Sequence, residues 1–208
     1  MAQASVKTEK ENAWSMIRLG LILAAYAVIA CAMLAVVNNF TAPKIAENQE
    51  KKVSAAMKEF FPDSGLTFET INDYTAPVVG AITVDEMYVA KKGSEIVGAA
   101  AQVTGPTYDQ GSILIGIKTD GSVAGLKFLK LTDSPGFGLK ANDATFKLPN
   151  GKTFYGQFEG KNAKGGFKAG ENFDAISGAT ITSVAVASLI NEGSKNIFNY
   201  FDMKGVKE

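Results

Sequence analysis

The sequence predicts an α+β architecture: one apolar membrane-spanning helix near the N-terminus, then a domain with an antiparallel sheet flanked by helices. Three observations predict it. An uncharged apolar run from Leu19 to Val37 has the length of a bilayer span. The stretch from about Glu86 to Leu131 is rich in apolar and β-branched residues and is cut by short glycine-containing turns. A second helical pattern closes the chain, with Val186, Leu189, Ile190, Ile197 and Phe201 on one face. Strands clustered in one stretch and bracketed by helices make an α+β pattern rather than an alternating one.

Length and composition bound the rest. At 208 residues the chain is one domain plus an appendage. Its 21 basic and 21 acidic residues balance, so no basic surplus points to nucleic acid. It has no histidine, and its one cysteine, Cys31, lies inside the apolar run. Structural zinc, iron–sulfur clusters, His-ligated haem and Ser-His-Asp or Cys-His catalysis all need ligands this chain lacks. No metal site is expected, and any redox chemistry must come from an organic cofactor.

Residues 1–13 are polar and of mixed charge (Lys7, Glu9, Lys10, Glu11) and read as a tail. Residues 14–40 hold the span. As a helix, Leu19 to Val37 rises about 28 Å, close to the hydrocarbon thickness of a bilayer. Trp14 and Arg18 flank its start as interfacial anchors do, and Asn38 and Asn39 mark its exit. Cys31 has two readings. Val28-Ile29-Ala30-Cys31 has the form of a lipidation signal, but Ala32 to Val37 stays apolar, which suits a small helix residue instead. Lys7, Lys10 and Arg18 precede the span while Lys44, Lys51, Lys52 and Lys58 follow it, so charge alone slightly favours a cytoplasmic C-terminal side.

Residues 41–208 form the domain. Pro43 to Phe61 reads as an amphipathic helix, with Pro43 in its first turn, Ala46, Val53, Ala56, Met57 and Phe60 on one face, and Pro62 as its stop. Met87–Lys91 and Glu95–Val103 are strand candidates joined around Lys92-Gly93. Ser112–Lys118 and Val123–Leu131 are two more, joined across Asp120-Gly121. Between these pairs lies Gly105-Pro106-Thr107-Tyr108-Asp109-Gln110-Gly111, where Tyr108 is either an ordinary surface tyrosine or a ring that meets a flat ligand.

After the last strand, Thr132-Asp133-Ser134-Pro135-Gly136-Phe137-Gly138-Leu139-Lys140 makes a constrained loop with exposed backbone N–H groups. Such a loop suits close approach to a flat ligand, with Phe137 either lining it or plugging the sheet edge. Asn150 to Phe173 is rich in Gly and Lys, with Phe154, Tyr155 and Phe158 interspersed, and reads as a solvated loop with core anchors.

The most informative stretch is Asp174-Ala175-Ile176-Ser177-Gly178-Ala179-Thr180-Ile181-Thr182-Ser183. It reads as a tight turn opening the last helix, with Thr180, Thr182 and Ser183 as candidate N-caps. Two readings stand. The turn is simply a capped helix start, or it is an anion site. In the second, Gly178 and Ala179 leave room for a bulky group, unpaired N–H groups and the helix dipole favour negative charge, and the Thr180 hydroxyl is hydrogen-bonded or esterified to a phosphate.

Asp-x-x-Ser-Gly-Ala-Thr resembles the flavinylation motif of the FMN-binding domain family shared by the RnfG subunit of Rnf complexes and the NqrC subunit of the sodium-pumping NADH:quinone oxidoreductase. In that family a flavin transferase joins FMN to the motif threonine through a phosphoester. The resemblance implies that Thr180 carries FMN and that Asp174, Ser177, Gly178 and Ala179 complete the recognition sequence. It extends to Asp133-Ser134-Pro135-Gly136-Phe137-Gly138, which is similar to the family's Glu-Thr-Pro-Gly-Leu-Gly, and to Phe158-Glu159-Gly160-Lys161, which fits its Phe-x-Gly-Lys segment. Tyr108, Ser134, Gly136, Phe137, Gly138, Leu139 and Lys140 are then expected near the flavin.

Chain length favours the RnfG type. What the resemblance implies is an electron-carrier subunit of a membrane complex that links ferredoxin and NAD to translocation of Na⁺ or H⁺, with no turnover of its own. Its partners would be the other integral and peripheral subunits of that complex, the flavin transferase and the cell membrane. It also implies a cytoplasmic N-terminus and an extracytoplasmic domain, against the charge count. The alternatives are a stand-alone anchored flavodomain of another reductase, an NqrC-type subunit, and a non-redox module whose small-residue turn only caps a helix.

Overall fold

The computed structural model describes residues 2–206 and divides the chain into two units, Met1–Glu50 and Lys51–Glu208. Helix α1 runs unbroken from Ala2 to Phe60. From Trp14 onward it is long and apolar enough to cross a membrane, and its apolar side chains between Trp14 and Phe40 are exposed. The sequence pattern places a tail, a span and a separate amphipathic helix here, whereas the backbone is one helix. Pro43 removes a single donor, the N–H that would reach the Asn39 carbonyl, and helical residues on both sides carry the helix through. Next to it Thr41 donates its hydroxyl back to the Val37 carbonyl at 2.9 Å. Of residues 1–13, expected as a tail, positions 2–13 lie in α1; position 1 and positions 207–208 fall outside the described residues.

The second unit is built on a five-stranded antiparallel meander in which each strand pairs with the next in sequence: β1 (Leu66–Thr70), β2 (Thr83–Lys92), β3 (Glu95–Pro106), β4 (Gln110–Lys118) and β5 (Val123–Leu131). The four strands read from the sequence are β2 to β5, each as long as expected or longer. β1 is an addition at the edge, held to β2 in register from Leu66↔Lys92 to Thr70↔Tyr88.

Both faces of the sheet are covered, and alternation along the strands sorts residues between them. On one face lies helix α2 (Thr180–Lys204). Its Val186, Leu189, Ile190, Ile197 and Phe201 are buried in one cluster with Ala99, Ala101 and Val103 of β3 and Ile113, Ile115 and Ile117 of β4. Each fully buried aliphatic side chain of this kind contributes roughly 1.5–3 kcal/mol. Gly193 brings α2 close to the sheet; a Cβ there would lie 2.7 Å from Ile115 Cγ2 and 2.8 Å from Val103 Cγ2.

The opposite face takes the last turns of α1. Val53, Ala56, Met57 and Phe60, with the following Phe61, pack on Ala90, Ala100, Leu114, Ala124 and Leu129. Small residues make a bed for the two rings: Phe60 lies over Gly116 and Gly125, and Phe61 over Gly98. Of the amphipathic face read in the sequence, Val53, Ala56, Met57 and Phe60 pack, while Ala46 is exposed.

Between β5 and α2 the chain forms a short 3-10 turn (Gly138–Asn142) and then runs without strand or helix to Ala179. Aromatic residues pin this long segment to the core. Phe154 and Phe158 are fully buried, and Phe158 meets Phe167 edge-on with centroids 5.0 Å apart and Phe173 at 5.3 Å. Most of its glycines and lysines face solvent while these rings supply the anchors.

Candidate functional site

At the start of α2 a cleft of 590 Å³ is lined by Tyr108 from the β3–β4 turn, Ser134, Pro135, Phe137 and Gly138 from the loop after β5, and Gly178, Ala179, Thr180, Ile181 and Thr182. That volume falls in the range of small-molecule and cofactor sites. Three stretches of chain far apart in sequence therefore meet in one place.

The floor is a buried acid. Asp133 is only 2% exposed. It accepts hydrogen bonds from the Thr107 hydroxyl at 2.5 Å, the Asp109 N–H at 2.9 Å, the Tyr108 N–H at 3.3 Å and the Thr182 hydroxyl at 2.5 Å. Burial pushes its pKa up, but the hydroxyls of Thr107 and Thr182 and the two backbone N–H groups together outweigh that, and the carboxyl is held below its ordinary value. It stays ionised, and its charge is met by donors rather than by a cation.

Above it the backbone comes close. A Cβ on Gly138 would lie 2.5 Å from Thr182 Oγ1 and 2.6 Å from Asp133 Cβ, so only glycine fits between the acid and the cleft. Gly136 takes a left-handed φ of 77° and turns the chain so that Phe137 stands out, 59% exposed. The Phe137 ring lies over Gly178, where an added Cβ would touch it at 3.6 Å. Tyr108 is also held open, at 66% exposure.

The helix start departs from the expected capping. Ala179 occupies the cap position with no side-chain hydrogen bond, and Thr180 is the first helical residue. Neither Thr182 nor Ser183 caps in the expected way. Thr182 gives its hydroxyl to Asp133, while Ser183 donates back to the Ala179 carbonyl and accepts the Ile176 N–H. The reason is burial: both hydroxyls sit below the helix start and serve its packing. Helix geometry leaves the N–H groups of Thr180, Ile181 and Thr182 without intrahelical acceptors, and the Thr180 side chain is exposed beside them. Such a place favours an anion.

Of the residues singled out by sequence, Tyr108, Ser134, Phe137, Gly138, Gly178, Ala179 and Thr180 line one cleft. Gly136, Leu139, Lys140, Asp174 and Ser177 do not. Leu139 donates its N–H to the Ser134 carbonyl at 3.3 Å, closing the loop. Lys140 lies over the Phe146 ring, 5.3 Å from its centroid. Asp174 accepts the Asn150 amide at 2.8 Å, and Ser177 is exposed in the turn.

Two buried residues hold the site without having been singled out as part of it. Asp133 is legible in the sequence only as one position of the Pro-Gly loop. Gln157 braces the motif: its side-chain oxygen accepts the Asp174 N–H at 2.8 Å, and its amide donates to the Asp174 and Phe154 carbonyls at 3.1 Å each. Its position beside the buried Phe158 is the one available signal.

Comparison with known proteins agrees with this geometry. Residues 8–60 match the family model described as the RnfG N-terminal region, and residues 108–195 match the FMN-binding domain. The second match spans the cleft. The chain is 32% identical over 197 residues to the RnfG subunit of the Na(+)-translocating ferredoxin:NAD(+) oxidoreductase complex of Acetobacterium woodii, covering 86% of this chain and 90% of that protein. It is 27% identical over 197 residues to the corresponding subunit of the ion-translocating oxidoreductase complex of Pseudomonas aeruginosa, covering 90% and 89%. The counterpart from Shewanella amazonensis is 29% identical over 187 residues, covering 85% and 86%.

Proposed function

This chain belongs to the RnfG family, and from that premise we propose that it is the FMN-bearing electron-carrier subunit of a membrane complex coupling ferredoxin:NAD oxidoreduction to ion translocation. Relatives from two named complexes support the assembly, and the FMN-binding domain match supports the cofactor. The remaining subunits of that complex are its partners, and α1 is its membrane anchor.

The observation that carries the reading is the place of Thr180. Its hydroxyl is exposed in the cleft, at the end of a helix whose first N–H groups are unpaired. FMN fits these residues: the helix N-terminus would hold a phosphoryl group at Thr180, and Tyr108, Phe137 and the backbone of Gly138 would hold an aromatic ring system. We assign Thr180 as the covalent attachment point, through a phosphoester made by a flavin transferase that reads Asp174, Ser177, Gly178 and Ala179.

Bound FMN supplies the electron chemistry. The chain's part is to hold and orient it. The N–H groups of Thr180, Ile181 and Thr182 would take the phosphoryl charge, the exposed rings of Tyr108 and Phe137 would offer faces to the flavin, and Gly138 would let it approach the backbone.

The domain lies on the extracytoplasmic side, with residues 1–13 in the cytoplasm. The family resemblance supports this orientation, against the slight excess of positive charges after the span. Flavin fluorescence from the denatured polypeptide, together with co-purification of integral membrane subunits, tests the proposal. A colourless chain made alongside its transferase contradicts the cofactor, and a coloured chain that purifies alone points to a stand-alone anchored flavodomain.

A further inference from the structure

We propose that Asp133 is the positioning residue of the flavin site, setting the spacing between the Tyr108 wall and the Thr180 wall and placing a fixed negative charge beneath the cleft. This rests on the assignment of FMN to Thr180.

Connectivity gives Asp133 this role. Its Oδ1 accepts from Thr107 Oγ1 and the Asp109 N–H, and its Oδ2 from the Tyr108 N–H and Thr182 Oγ1. One carboxylate thus binds the turn that presents Tyr108 and the helix turn that presents Thr180. Both donor hydroxyls are buried, as is the acid. A carboxylate accepts at both oxygens at once, which an amide does not, so the residue type matters as well as its size. Gly138 and Thr182, which line the cleft, both lie directly against the carboxylate. In a poorly solvated place a charge so close acts on whatever lies above it more strongly than in water. A negative charge disfavours adding electrons to a bound flavin, so it lowers the flavin potential.

The test uses the full-length chain, made with a flavin transferase and purified in detergent, as wild type, Asp133→Asn and Thr182→Val. All three should carry one FMN by intact mass. Asp133→Asn should shift the visible circular dichroism of the flavin, move its midpoint potential positive, and speed hydrogen exchange at residues 107–109 and 183–186 together while β4 is unchanged. Thr182→Val keeps the charge and removes one arm. It should shift the dichroism but move the potential less, and it serves alone if Asp133→Asn does not fold.

A brace with a purely structural role lowers the melting temperature and leaves potential and dichroism at wild-type values; that result overturns the proposal. Unchanged dichroism in Thr182→Val overturns it too. If the wild type carries no flavin, the assignment of Thr180 fails separately. Exchange then decides: both segments loosening in Asp133→Asn sustains the positioning role, and only one loosening overturns it.

Discussion

Thr182 donates its hydroxyl to Asp133 at 2.5 Å, across 49 positions of chain. That bond ties the first turn of α2 to the end of β5 and fixes where the Thr180 hydroxyl emerges. The cleft is therefore a product of tertiary structure, and its behaviour should follow from changes in the contacts beneath it.

Gly138→Ala should be poorly tolerated. The new Cβ would sit 2.5 Å from Thr182 Oγ1 and 2.7 Å from Asp133 Oδ2, against buried groups with little freedom to move. Overpacking of this kind costs about 1–3 kcal/mol. A thermal melt should show the loss, and the visible dichroism of the flavin should change with it.

Acidification should loosen the site in a defined window. The Asp133 carboxyl is held below its ordinary value in the folded chain. A group with a depressed folded-state pKa stabilises fully above its unfolded value, about 3.9 for Asp, and the contribution is lost as pH falls from there through the folded value. The flavin dichroism should hold to about pH 4 and decline below it. Asp133→Asn should lack that part of the pH dependence.

Phe137→Ala should leave attachment intact and alter the flavin. The ring stands 59% exposed over Gly178 and takes no part in the core. Its removal should shift the absorption spectrum or potential while the mass of the FMN adduct remains. An unchanged spectrum and potential would remove Phe137 from the site.

Phe60→Ala should detach the end of α1 from the sheet. The ring is buried on Gly116 and Gly125, whose lack of side chains leaves nothing to refill the space. Truncating such a residue costs about 3–5 kcal/mol. Proteolysis between residues 50 and 62 should accelerate, while the flavin site on the other side of the sheet should hold its spectrum.

Local pattern makes much of this legible. The apolar, β-branched runs of β2 to β5 and the turns at Lys92-Gly93 and Asp120-Gly121 are near-neighbour signals, and the periodicity of α2 runs through Phe201. β1 is not legible because Leu66–Thr70 is five residues at an edge, joined to β2 by a long connection rather than a hairpin. The continuity of α1 is hidden by Pro43 and the Asn pair, which locally favour a stop. Thr180 is readable from motif and helix start together. Asp133 and Gln157 are not, because the partners that give them their roles, Thr182 for Asp133 and Asp174 for Gln157, lie 49 and 17 positions away. Capping differs from expectation for the same reason: Thr182 and Ser183 have the right chemistry for a cap, and other buried groups claim their hydroxyls.

The most direct measurement is the intact mass of the denatured chain, made with a flavin transferase present, as wild type and as Thr180→Ala. The wild type should gain the mass of one FMN esterified through its phosphate, and Thr180→Ala should keep the bare polypeptide mass. A bare mass in the wild type, or the same adduct persisting in Thr180→Ala, would contradict attachment at Thr180.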